Sequence, residues 1–146
     1  MRALIVLVVL LIASNVAQAE EWVVLRKPPE TGESAPAGIL IDKSSIEILG
    51  SGIRRAKVKV DFLSRRLAFE TFGPTVLNFN ITTKTYDCGK QMDHEESSEE
   101  HWIDGSVSVL DLSKQKWYSV PLSHRAAIPD FDFVCGWKPR KSSAER

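Results

Sequence analysis

From Ile53 to Cys88 the chain is largely written in steps of two. Ala56, Val58, Val60 and Phe62 alternate with Arg55, Lys57, Lys59 and Asp61. A strand turns successive side chains to opposite faces, so this spacing predicts a sheet with one packed face and one wet face. Val76–Cys88 repeats the pattern, with Leu77, Phe79 and Ile81 opposing Asn78, Asn80 and Thr82. Its β-branched and aromatic residues suit a pleated, half-buried surface. The expected sheet core is therefore Val58, Val60, Phe62, Leu77, Phe79 and Ile81. Asn80-Ile81-Thr82 has the form of a glycosylation acceptor, but its place inside a strand favours the strand reading.

The segments around this centre are short. Glu21–Lys27 is rich in strand formers, and Pro28–Gly38 then reads as a loop. Ile39–Asp42 is a short strand, and "KSSIEILG" follows it to a tight turn at Gly50–Gly52. "SRRLAFETFGP" connects the two alternating strands. Asp104-Gly105 lies between two strand-like runs and predicts a two-residue hairpin with positive φ at both central positions. "QKWYSVP" is a further strand candidate. Pro129 and Asp130 open a short helix, since a first-turn residue needs no N–H partner and an acid suits the helix dipole. Phe131, Val134 and Cys135 share one face of it, and Gly136 is its stop. The tail after Lys138 is polar. The fold class that results is α+β, one domain dominated by an antiparallel sheet. For each of the four tryptophans, core or partly buried packing is the expectation.

The N-terminus carries an address. Arg2 precedes an apolar run, Ala3–Ala13, and Ala17-Gln18-Ala19 has the small-x-small form of a cleavage site. This predicts a secretory signal peptide over 1–19 and a mature domain over 20–146. The run is too short for a comfortable span, and no other segment is apolar enough for one. No Cys stands at the cleavage point, so lipid attachment there is not expected. The location expected is periplasmic or extracellular. Cys88 and Cys135, an even pair in an oxidising compartment, point to a disulfide, with free thiols or a shared metal as the alternatives.

Nineteen basic and nineteen acidic residues leave no net charge to draw the chain to nucleic acid or anionic lipid. Binding by charge needs a local patch. Arg54, Arg55, Lys57 and Lys59, with Arg65 and Arg66 beyond, form one. This patch is the candidate contact for an acidic ligand, a sulfated glycan or a partner protein, against the plain reading of a wet sheet face. No stacking aromatics are interleaved there, which argues against nucleic acid. "MDHEESSEEH", Met92–His101, has two histidines and five carboxylates. An odd spacing puts His94 and His101 on opposite faces of a strand, and HExxH is absent. The segment reads as a solvated hairpin arm near a sheet edge rather than a metal or catalytic site. No serine sits in a nucleophile elbow, and no catalytic residue, metal ligand or cofactor is assigned. A small-ligand or haem carrier using Met92, His94 or His101 is a minor alternative, as is a soluble periplasmic factor such as an enzyme inhibitor or envelope-stress protein.

Several short pieces in order carry a resemblance. They are Trp22, "LIDKSSIEILG" at Leu40–Gly50, the basic alternating strand, "TYDC" at Thr85–Cys88, the Asp-Gly hairpin, "WYSVP" at Trp117–Pro121, and Cys135. Together they resemble the surface-adhesin protein E family of Gram-negative bacteria, over nearly the whole mature chain. The resemblance implies one antiparallel sheet of about six strands with a C-terminal helix tied to it by the Cys88–Cys135 bridge. It also implies a non-enzymatic protein that binds host matrix or plasma glycoproteins, with a protein or glycan partner. Apart from the resemblance, a short exposed sheet edge offers pairing across a homodimer, although the acidic arm argues against it there. The chain departs from the family in lacking the lipid-attachment Cys, in its long Pro28–Gly38 loop, and in Pro129, which limits the helix to about two turns. None of the family's binding segments is present as a motif.

Overall fold

The computed structural model describes residues 19–27, 38–62 and 77–138. The expected signal peptide up to residue 18, most of the Pro28–Gly38 loop, the 63–76 connection with Arg65 and Arg66, and the polar tail from 139 lie outside the described residues.

One antiparallel sheet forms the body. Its strands are β1 (Trp22–Arg26), β2 (Gly38–Gly50), β3 (Ile53–Asp61), β4 (Leu77–Asp87), β5 (Met92–Trp102), β6 (Val107–Asp111) and β7 (Tyr118–Ser119). The first six pair in chain order, a meander, and β7 pairs with the start of β5. A 3-10 turn (Leu122–His124) leads to helix α1 (Pro129–Gly136), which packs across β1 to β4. Among the described residues no helix is long and apolar enough to cross a membrane.

"ILID" and "KSSIEILG" form one strand rather than two. The register of β2 against β3 breaks between Asp42 and Glu47, and side chains bridge the break. Asp42 Oδ1 accepts from Glu21 N, Ser44 N and Ser44 Oγ, and Ser45 Oγ accepts from Lys57 N at 2.8 Å. Polar atoms thus hold the irregular stretch, and β2 resumes beyond it. The Ser51-Gly52 turn follows, with Gly52 at φ 75°.

The Asp104-Gly105 hairpin is present, but its loop is longer than two residues. Gly105 N donates to Trp102 O and Trp102 N donates to Ser106 O. Of the two turn residues only Gly105, at φ 86°, has a positive φ. This is a three-residue loop with a left-handed glycine at its end. Asp104 Oδ1 accepts from Ser106 N and Oγ, and these bonds lower its carboxyl pKa.

Helix α1 spans two turns, as Pro129 predicts. It ends because Trp137 turns extended, not through a left-handed Gly136. Phe131 and Val134 bury themselves on Ile39, Ile41, Ala56, Val58, Tyr86 and Val120. The Cys88–Cys135 disulfide, with Cα atoms 5.6 Å apart, ties the end of β4 to the helix.

Val58, Phe131 and Val134 are core, as expected, whereas Val60, Phe62 and Leu77 are half-buried. Phe79 and Ile81 lie on the other face, opposite Asp61 and Lys59. The face of β4 that meets the helix carries Thr82, Lys84 and Tyr86 instead. Both faces of β4 hold side chains able to pack, so alternation alone could not choose between them. Trp22, Trp102 and Trp137 are half-buried; Trp117 is exposed.

Candidate binding surfaces

Strand parity divides the basic patch. Arg54 turns to the helix side, where Nη1 donates to Trp137 O at 2.6 Å and holds the chain just beyond α1. Arg55, Lys57 and Lys59 line the opposite, outer face. The four cations are therefore not one surface.

On the outer face, Arg55 is already engaged. Its guanidinium donates to Glu96 Oε1 at 3.0 Å and reaches Glu47 at 3.5 Å. The hydrogen bond to Glu96 raises the arginine pKa despite partial burial. Burial would raise the Glu96 carboxyl, but hydrogen bonds from Thr85 and Arg55 outweigh it and hold that carboxyl below the usual range. Lys59 Nζ sits 3.9 Å from the Phe79 ring centroid, a cation–π contact. Phe79 in turn stacks on His101 at 4.3 Å. Lys57, between Arg55 and Lys59 on this face, is exposed and has no ion-pair partner among the described residues.

The acidic segment corrects two expectations. "MDHEESSEEH" is the first arm of the β5–β6 hairpin, as expected, but not the edge itself: it is an inner strand, paired with β4 on one side and with β6 and β7 on the other. Several of its carboxylates have partners: Asp93 with Lys84, Glu96 with Arg55, and Glu99 with His101. His94 and His101 also share a face. A bulge shifts the register between Thr83 and Lys84, so Glu96 and Ser97 together take the place of one residue. Beyond a bulge the alternation changes phase. His94 then stacks on Trp117 at 5.3 Å while His101 stacks on Phe79, so each imidazole is engaged by a different ring. Among the described residues no group of three or more His, Cys, Asp or Glu is arranged to hold a metal ion.

The helix side holds a cluster that the sequence reading missed. Lys84 Nζ lies 2.6 Å from Asp93 Oδ2 and 3.1 Å from Asp130 Oδ2, and Tyr86 OH donates to Asp130 Oδ2 at 2.8 Å. Lys84 is 9% exposed, Asp93 6% and Asp130 2%. Burial alone would lower the lysine pKa, but the two carboxylates reverse that and raise it. Burial pushes the Tyr86 phenol well up, and the Asp130 charge adds to the shift. Lys84 is the single charged residue between Leu77 and Tyr86. That isolation was the available signal, but its partners lie on β5 and α1, beyond local reading.

Comparison of the chain with protein-family models, with curated proteins and with solved structures returns no match.

Proposed function

We propose that this protein is an exported, non-enzymatic binding module, similar to the surface-adhesin protein E family, and that the outer face of its sheet presents the contact zone. The partner class is a host matrix or plasma glycoprotein, met through acidic or sulfated groups. One observation carries this reading. On the outer face of β3, Lys57 is exposed without an ion-pair partner, next to Lys59 seated over Phe79. An exposed ammonium beside an oriented cation–aromatic pair suits a ligand with anionic groups and apolar ring faces. Val107, Val109 and Trp117 add exposed apolar surface around this zone.

The test uses the mature chain and its Lys57→Glu/Lys59→Glu variant against immobilised matrix and plasma glycoproteins. The expected result is saturable binding to at least one, weakened tenfold or more by the variant and strongly by salt. Equal affinity for wild type and variant would sink the contact-zone assignment.

A further inference from the structure

The two edges of the sheet differ. β1 is irregular, because its register against β2 shifts between Val24 and Arg26. A bulged edge that carries a charge resists pairing with another strand. β6, at the opposite edge, runs in unbroken register with β5 from Val107 to Asp111 and contains neither Pro nor Lys. Among the described residues no strand pairs with its outer side. The acidic run that argues against pairing at an edge lies inside the sheet, as β5.

Hydrogen bonding fixes which groups of β6 look outward. Trp102 N donates to Ser106 O and Leu112 N donates to Glu96 O. Backbone direction alternates along an antiparallel strand, so Ser106, Ser108, Leu110 and Leu112 bond to β5. Val107, Val109 and Asp111 turn their N–H and C=O groups to the open edge. The side chains of Val107 and Val109 stand on the outer face, 53% and 72% exposed. Charge is sorted by end. Asp104 precedes the strand and Lys114 follows it, both exposed and neither ion-paired among the described residues.

We propose that β6 pairs antiparallel with β6 of a second copy of this chain, about a two-fold axis at Ser108, giving one continuous sheet across a homodimer. In this register Val107 of each copy exchanges backbone hydrogen bonds with Val109 of the other, and the valines of the two copies meet as cross-strand neighbours. Asp111 falls opposite Gly105, which has no side chain to clash with it. Antiparallel pairing also brings the Asp104 end of each copy to the Lys114 end of the other. A register centred on Val109 would instead set Val107 against Asp111. The axis stands perpendicular to the sheet, so both outer faces look the same way. An edge this short makes a small interface of the transient class, so concentration sets assembly. The pairing stands independently of the function proposed above and uses neither Lys57 nor Lys59.

Sedimentation velocity of the mature chain, from about 10 μM to about 1 mM, reads the equilibrium. The expected result is reversible dimerisation, weakened tenfold or more by Val109→Lys and changed less than twofold by Val24→Lys on β1. In amide exchange on the wild-type chain, Val107 and Val109 gain protection as concentration rises. Ser108→Cys tests the register. Facing residues of a non-hydrogen-bonded pair have Cα atoms about 4.5 Å apart, within the reach of a disulfide. Oxidation should therefore cross-link Ser108→Cys and leave Ser106→Cys monomeric. A chain that stays monomeric throughout, Val107 and Val109 amides indifferent to concentration, an equal loss in Val24→Lys, or cross-linking of Ser106→Cys in place of Ser108→Cys would overturn the proposal. The exchange measurement uses the wild-type chain, so the outcome does not depend on how the variants fold.

Discussion

Lys84→Met lowers stability by about 3–5 kcal/mol, the range seen when one partner of a buried ion pair is removed. The substitution keeps the length of the side chain and removes its charge. Asp93 and Asp130, 6% and 2% exposed, are then left without their cation, and only the Tyr86 hydroxyl still serves Asp130. Urea unfolding with the slope held constant measures the loss. The triple variant that also carries Asp93→Asn and Asp130→Asn recovers part of it, because the penalty lies in the orphaned charges rather than in the missing methylene contacts. A loss below about 1 kcal/mol in the single variant would mean that the cluster is solvated and does not hold the helix. The pH dependence has a definite sign. The folded-state pKa of Lys84 is raised above its ordinary 10.5, so its contribution is complete below that value and disappears as pH rises through the folded-state value. Tyr86, raised above 10.0, acts in the same direction. The gap between wild type and Lys84→Met therefore narrows in strongly alkaline solution.

Replacing both cysteines with serine costs roughly 4 kcal/mol on the chain-entropy estimate for a bridge across 47 positions. The effect reaches beyond the unfolded chain. Helix α1 has only eight residues, and an isolated helix that short is marginal in water. Besides its core contacts, each end is fastened: the first turn by Asp130, through Lys84 and Tyr86, and the last turn by Cys135, through Cys88. Cys88→Ser/Cys135→Ser is thus expected to lower the melting temperature by 10 °C or more and to loosen α1 ahead of the sheet in amide exchange. Uniform loss of protection across sheet and helix would contradict that order.

Much of this fold is written locally, and what is not has a definite physical cause. The strands are legible because alternation is a property of neighbouring residues, and the helix is legible because Pro129, Asp130, Phe131 and Val134 all agree. The bridge is expected from an even pair of cysteines behind a sequence with the form of an export signal. The side of β4 that packs is different. Phe79 and Ile81 look more like core than Lys84 does, yet Lys84 faces the helix because Asp93 and Asp130 neutralise it there. Those partners lie on other elements, and no window around Lys84 contains both. The phase of β5 is hidden for another reason. One extra residue at Glu96-Ser97 turns His94 and His101 to the same face, and Glu96 spends its carboxylate on Arg55 and Thr85. The basic patch fails the same test of parity. Arg54 and Arg55 are adjacent in sequence and serve opposite faces of the sheet, one fixing the exit from α1 and one pairing with acids.

The proposed binding to host glycoproteins requires that the exported chain be reachable from outside the cell, with the outer face of the sheet available to a partner. Labelling intact cells with a membrane-impermeant amine reagent, followed by osmotic-shock release, tests that claim most directly. The expected result is a mature chain beginning at Glu20 that is labelled on intact cells. A chain that becomes labelled only after osmotic release or lysis would contradict the adhesin reading.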